Sequence, residues 1–279
     1  MSLEQYRLHI QLGAGEDGAG YRAECVADGS PVEVRILLAA QRDAERWPVV
    51  GKRLRMAHLL QHPTAQHIRE LALEHAPPYV VLEWAEGRTL YEALHRDVPL
   101  PTLRAAALTS ALAAGMAAAH QLGLAHGWLC PSRTYLLDDG TFKTDFTGLA
   151  VSAPSEHDMD ATCRAAEFTS VATAQPAMDV YSLGVLLHWL LSGHAWHGDL
   201  CAQAISSPLA ALLQAMLAPD PTERPSMLEV ISQLTGLSTD LAVTREYAGT
   251  GAVDAAITLI SSTPCVQTDE ILARRQLGR

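Results

Sequence analysis

The sequence predicts an α+β chain in two parts, a small antiparallel sheet followed by a larger, mainly α-helical region. Three observations predict it. Residues 6–37 alternate strand-like runs with turns: Tyr6 to Gln11, a glycine-rich loop, Tyr21 to Ala27, an Asp28-Gly29 turn, then Val32 to Leu37. From Thr102 to Leu122 an Ala/Leu-rich stretch, with Pro101 just before it, reads as one long helix. From Asp179 to Leu191 the chain is apolar on most faces, as a helix at the centre of a core should be, and Gly193 ends it.

Composition sets the outer bounds. The 279 residues suffice for one large domain or for two lobes with a shared interface. Hydrophobic residues at 48% against charged residues at 18% describe a chain that folds rather than one that stays disordered. A formal net charge of -11 argues against a broad nucleic-acid or anionic-membrane surface, and its plainest use is solubility. Cys25, Cys130, Cys163, Cys201 and Cys265 are scattered and never form C-x-x-C, which fits reduced thiols with neither a disulfide frame nor a zinc site. The opening Met1-Ser2-Leu3-Glu4-Gln5 is polar and is not expected to be a signal peptide. The most apolar run, Ala105 to Ala119, is shorter than a membrane span. A cytoplasmic location is expected, with protein partners rather than nucleic acid or a membrane.

Each element then takes its place. Gly13, Gly15 and Gly18 match G-x-G-x-x-G, a spacing that lets backbone amides approach phosphates. Alone the match is weak, since a glycine-rich hairpin turn reads the same. A dinucleotide-binding unit needs a helix next, whereas Tyr21 to Ala27 continues as a strand. The third strand carries Val32-Glu33-Val34-Arg35. Arg42 to Leu60 is helix-like and basic, with Lys52, Arg53 and Arg55. The apolar run of Tyr79-Val80-Val81-Leu82 fits a buried strand, and Gly87 frees the chain to turn into the next helix.

The long helix delivers His126-Gly127-Trp128-Leu129-Cys130-Pro131-Ser132-Arg133. A strand-turn pattern follows from Tyr135 to Lys143, and then Asp145-Phe146-Thr147-Gly148. Further on stand Ala165-Ala166-Glu167, Asp179-Val180-Tyr181-Ser182-Leu183-Gly184 and Asp220-Pro221-Thr222-Glu223-Arg224-Pro225. His188, His194 and His197 gather near one helix end, but no acidic or Cys partner has ligand spacing, so no metal is expected there. Residues 238–279 read as a helical tail or linker. Ala248-Gly249-Thr250-Gly251 is a glycine turn without a phosphate-loop Lys, and Ser261-Ser262-Thr263-Pro264 separates two short helical runs.

The joint order of these motifs, from about Tyr6 to Leu237, resembles the eukaryotic-type protein kinase family, and most of all its bacterial serine/threonine branch, in a degenerate form. The resemblance implies a two-lobed kinase-like domain over 1–237, with a small lobe of about 1–85, a large lobe of about 86–237, and 238–279 beyond it. It implies that Leu82 is the gatekeeper and Glu83 to Ala85 the hinge. His126 would be a packing residue, Asp179 would tie down the catalytic-loop backbone or simply cap its own helix, and Glu167 would pair with Arg224. Ser152, Ser155 and Thr162 would lie in the activation segment, without any indication that they are phosphorylated.

The resemblance also marks what departs. Arg35 stands at the phosphate-binding Lys, and its planar fork does not replace a compact ammonium. Glu33 stands where a small residue faces the adenine, and is costly to bury unpaired. Gly20 stands where a Val covers the base. Arg53 stands at the Glu that should pair with the strand Lys, so Arg35 and Arg53 would meet as like charges. Trp128 stands at the catalytic Asp, and indole accepts no proton. Cys130 stands at the loop Lys, and Arg133 at the metal-binding Asn, where a guanidinium repels a cation. Thr147 displaces the glycine of the magnesium motif.

The expectation is therefore a pseudokinase: no enzyme, no catalytic residues, and degenerate positions at Arg35, Arg53, Trp128, Cys130 and Arg133. Gly13, Gly15, Gly18 and Asp145 remain as residual nucleotide or metal positions. No cofactor is expected beyond weak ATP binding, and no metal. The role would be a regulatory or scaffolding signalling module that binds proteins. The alternatives are a nucleotide-binding sensor without phosphotransfer and a weakly active atypical serine/threonine kinase with relocated groups.

Overall fold

In the computed structural model, residues 3–151, 158–170, 173–198 and 207–236 are described. The tail at 238–279, Ser152, Ser155, Cys201 and Cys265 lie outside the described residues. The chain opens with β1 (Tyr6–Gly15), β2 (Gly18–Cys25) and β3 (Pro31–Ile36), followed by a short α1 (Leu38–Gln41) and α2 (Trp47–Leu59). β4 (Ile68–Ala72) and β5 (Tyr79–Glu83) complete a five-stranded antiparallel sheet in the order β1-β2-β3-β5-β4. α2 starts later than the basic stretch suggests, because Pro48 lacks an N–H and suits only the first turn.

Side-chain alternation on β3 builds two surfaces at once. Val32 and Val34 point to one face and pack with Ala23, Tyr79 and Val81 in a satellite core. Glu33 and Arg35 point to the other face, toward the large lobe, and both are buried. On β5 the same alternation sends Val80 and Leu82 into the main core, so Leu82 sits opposite Glu33 in the strand pairing.

The large lobe begins with β6 (Gly87–Thr89) and α3 (Leu90–Leu94). A reciprocal capping box joins Thr89 and Glu92 at the start of α3. Gly87 serves close approach rather than a free turn: a Cβ there would come to 2.3 Å from the Leu136 carbonyl oxygen. α4 (Thr102–Gln121) delivers a loop and a 3-10 turn at Pro131–Arg133, then β7 (Thr134–Leu137) and β8 (Phe142–Thr144), and β7 pairs with β6 on one side and β8 on the other in a small three-stranded sheet. By length and composition α4 could cross a membrane, but Leu108, Leu112 and Met116 along it are buried in the core it shares with the next long helix. α5 (Asp158–Thr162), α6 (Pro176–Ser192) and α7 (Ser207–Met216) follow, and residues 227–236 are helical. α6 is buried almost throughout and ends at Gly193 in the left-handed region, φ 76°. The fold is thus α+β, a small antiparallel lobe and a larger helical one.

Candidate functional site

The cleft between the sheet and the helical lobe is lined by β3, the hairpin β1–β2, α2, the loop 126–133 and the Asp145-Phe146-Thr147 segment. At its centre the Arg35 guanidinium donates through Nε to Glu33 Oε1 at 2.7 Å. Through Nη1 it donates to Asp145 Oδ2 and to Thr147 Oγ1, both at 2.7 Å. Positions 33 and 35 share a strand face, which is why this arginine reaches its own neighbour as well as a residue in the other lobe. Gln66 Nε2 donates to the second Glu33 oxygen at 3.2 Å. Glu33 is buried and paired with Arg35 and Gln66, so the cost of burying it without a partner does not arise. Burial alone would raise the Asp145 carboxyl. The adjacent Arg35 charge and the Thr147 hydrogen bonds outweigh it, holding Asp145 far below the usual carboxylate range.

Thr147 belongs to this network. Its hydroxyl donates to Asp145 Oδ1 at 2.6 Å, and its backbone N–H donates to the same oxygen at 2.8 Å. Asp145, the residual metal position, therefore has one oxygen on Arg35 and the other on Thr147.

Arg53 does not oppose Arg35. Its guanidinium donates to the Ala125 carbonyl at 2.8 Å, the His126 carbonyl at 3.1 Å and the Thr147 carbonyl at 3.1 Å. The like-charge contact expected from the register does not form, because backbone oxygens of the loop and of the Asp145 segment take this side chain. Burial lowers the Arg53 guanidinium to about 10, still charged at neutral pH.

Gly13, Gly15 and Gly18 do not lie in an open loop. Gly13 and Gly15 sit within β1 and Gly18 opens β2, with Gly13 paired to Gly20 and Gly15 to Gly18. The hairpin tip, Glu16-Asp17, folds down onto the segment after Gly148. Asp17 N donates to the Ala150 carbonyl at 3.0 Å, and Ala150 N donates back to Asp17 Oδ2 at 2.7 Å. Arg46 pairs with the same buried carboxylate, Nη1 to Oδ1 at 2.8 Å. A Cβ built at Gly20 would lie 3.5 Å from Glu33 Oε1 and 3.7 Å from a Val151 methyl. Gly20 does not leave an open base site: Glu33 and Val151 occupy the space beneath it.

In the loop, His126 is buried and packs edge-to-face on Phe146, with ring centroids 5.4 Å apart. Burial lowers its imidazole to about 4. Asp179 accepts from the backbone N–H of His126 at 2.8 Å and of Gly127 at 2.6 Å, and contacts His120 Nε2 at 2.7 Å. Its carboxylate thus ties down the loop rather than capping α6. Trp128 Nε1 donates to the Asp160 carbonyl at 2.9 Å. Cys130 is buried, and burial pushes its thiol far above the ordinary range. Arg133 stacks on Trp128, its guanidinium carbon 4.5 Å from the ring centroid. Arg224 reaches Glu167 with both terminal nitrogens and also donates to the Ala177 and Ala218 carbonyls.

Several site residues had no signature in sequence. Asp17, Arg46, Gln66, Val151 and Asp160 enter through tertiary contacts. Among the described residues, no three or more His, Cys, Asp or Glu side chains gather as metal ligands.

The family pattern described as "Protein kinase domain" matches residues 6–234. Serine/threonine-protein kinase PknL of Mycobacterium bovis is 30% identical over 199 residues, covering 68% of this chain and 50% of that protein. Serine/threonine-protein kinase PkaA of Streptomyces coelicolor is 27% identical over 302 aligned positions, covering 93% of this chain and 55% of that protein. The probable serine/threonine-protein kinase PkwA of Thermomonospora curvata is 26% identical, covering 82% of this chain and 34% of that protein. The chain spans about half the length of the first two of these relatives.

These matches overturn the expectation of a non-enzyme. The family is one of phosphotransferases, and the relatives carry the name serine/threonine-protein kinase. The residues at 35, 128, 130 and 133 say which groups differ, and a differing group is not an absent activity. Fold, motif order and matches converge on one statement: the chain belongs to the protein kinase domain family, in its bacterial-type serine/threonine branch.

Proposed function

We propose that this chain is a signalling domain of the serine/threonine kinase family that regulates other proteins by contact, with its nucleotide cleft filled at rest by its own side chains. One observation carries the reading: the Arg35 guanidinium lies among Glu33, Asp145 and Thr147, where a nucleotide phosphate and its metal would otherwise be held. An incoming ATP must displace a buried ion pair and the Val151 side chain, so ATP binds weakly. Replacing Glu33 by Ala removes one plug and tightens ATP binding.

A thermal-shift titration with ATP, with and without magnesium or manganese, tests this. A ligand held by the native state raises stability by about 2.7 kcal/mol at a hundredfold excess over its Kd. The expected result is no shift at millimolar ATP for the natural sequence and a clear shift for Glu33→Ala. A metal-dependent shift of the natural sequence overturns the reading.

Phosphotransfer by this chain is the second reading, favoured by the names of its relatives and by the Asp145 carboxylate at the family position. Transfer of labelled phosphate from ATP to a protein, abolished in Asp145→Ala, would establish it.

A further inference from the structure

Trp128 carries two guanidiniums, not one. Besides Arg133, the Arg164 guanidinium carbon lies 4.0 Å from the Trp128 ring centroid, and 5.4 Å from that of Phe168. Arg164 is exposed, and Arg133 and Trp128 are half-buried. Among the described residues, neither guanidinium is hydrogen-bonded or ion-paired to a carboxylate or carbonyl. Other buried arginines are engaged: Arg35 with Glu33 and Asp145 and Arg53 with carbonyls in the cleft, and Arg224 with Glu167 in the large lobe.

A guanidinium stacked on an aromatic face uses its π surface and leaves its N–H edge free. Two such guanidiniums over one indole bring two sets of N–H donors to one place, which suits a multivalent oxyanion. The Arg133 charge also reaches His126 and Arg53, lowering both, so the local field is positive on a chain whose net charge is -11. The nearby acid, Asp160, is buried, accepting from Ser132 N at 3.3 Å rather than from either arginine. Asp145 is taken by Arg35 and Thr147.

We infer that Arg133, Trp128 and Arg164 form a binding site for a phosphate monoester, and that its ligand is a phosphorylated serine or threonine on a partner polypeptide. The choice of a peptide rests on the protein-contact reading given above, and the anion chemistry does not. The site stands at the loop where a kinase would present a hydroxyl for phosphorylation, so this domain would hold the product state of a phosphorylated side chain.

The full chain is titrated by calorimetry at low salt with a capped pentapeptide, Ala-Ala-phosphoserine-Ala-Ala, with the same peptide unphosphorylated, and with inorganic phosphate. Binding of the phosphopeptide alone, or more tightly than inorganic phosphate, is expected. Arg164→Gln and Arg133→Gln should each weaken it by about tenfold or more, since each removes a charge-assisted pair. Arg164 is exposed, so its variant keeps the fold and decides the matter if Arg133→Gln melts early. Equal binding of both peptides, or undiminished binding by Arg164→Gln, overturns the site. Phosphate binding as tight as the phosphopeptide overturns the peptide assignment. ATP binding at Arg35, if it occurs, leaves these outcomes unchanged, so the two readings fail separately.

Discussion

Two buried ion-pair networks hold this chain, and they relate to the family pattern in opposite ways. In the large lobe, Arg224 with Glu167 and Asp179 with the 126–127 backbone use the residues that the pattern expects, at the places it expects them. In the cleft, Glu33, Arg35, Arg53 and Thr147 all depart from it, yet the network they build is as fully bonded. The difference teaches that departures compensate one another. An arginine at 35 carries more donors than a lysine, and the acid at 33 and the hydroxyl at 147 accept them. The large-lobe anchors fix the loop's backbone whatever the cleft holds, so the cleft residues are free to vary as a set.

The sharpest way to break this contrast is Arg35→Ala. It leaves Glu33 and Asp145 buried without their cation and should lower unfolding free energy by about 3–5 kcal/mol in urea denaturation. Arg224→Ala should cost about 2–3 kcal/mol, less because Glu167 is partly solvated, and should leave the ATP response untouched. If both variants change the ATP response equally, the two networks are not separate.

Proton uptake at His126 gives a smaller effect. Its folded value of about 4 lies below the ordinary value of 6.5, so the unfolded chain binds the proton first. The contribution is fully present above pH 6.5 and is lost as pH falls toward 4. Between pH 6.5 and 5 stability should drop by about 1–2 kcal/mol, and His126→Phe should flatten that slope. His62 and His188, also lowered by burial, add to it in the same direction. Smallest is Gly29→Ala, remote from both networks. Gly29 has φ 72° with open space around it, so the cost is about 1 kcal/mol of backbone strain, read as a small fall in Tm.

How much was legible follows from the reach of each contact. The two-lobed fold was, because strand alternation at 32–35 and the apolar helix at 179–191 are local patterns. Glu167 with Arg224, and Asp179 with the loop, were legible because both members sit in motifs of fixed order. The fate of Arg53 was not, since backbone carbonyls leave no mark in a sequence. Neither was the hairpin tie of Asp17 to Ala150, whose members stand far apart in the chain and match no motif. The glycine spacing at 13, 15 and 18 read equally as a phosphate loop or as a hairpin turn, and the strand pairing shows the hairpin. The pairing of Arg164 with Trp128 joins two segments that are adjacent only once α5 has packed beneath the loop.

Glu33 and Arg35 stand two positions apart on one strand and hold each other, and this bears on which substitutions the cleft tolerates. Restoring a small residue at 33 alone leaves the Arg35 Nε without its acceptor. Restoring lysine at 35 alone removes the fork that binds Glu33, Asp145 and Thr147 together. Each single step passes through a less stable chain than either end point, because residues in one network are not additive. The pair is therefore hard to change one residue at a time, so the contacts that fill the cleft also hold its residues together as a set.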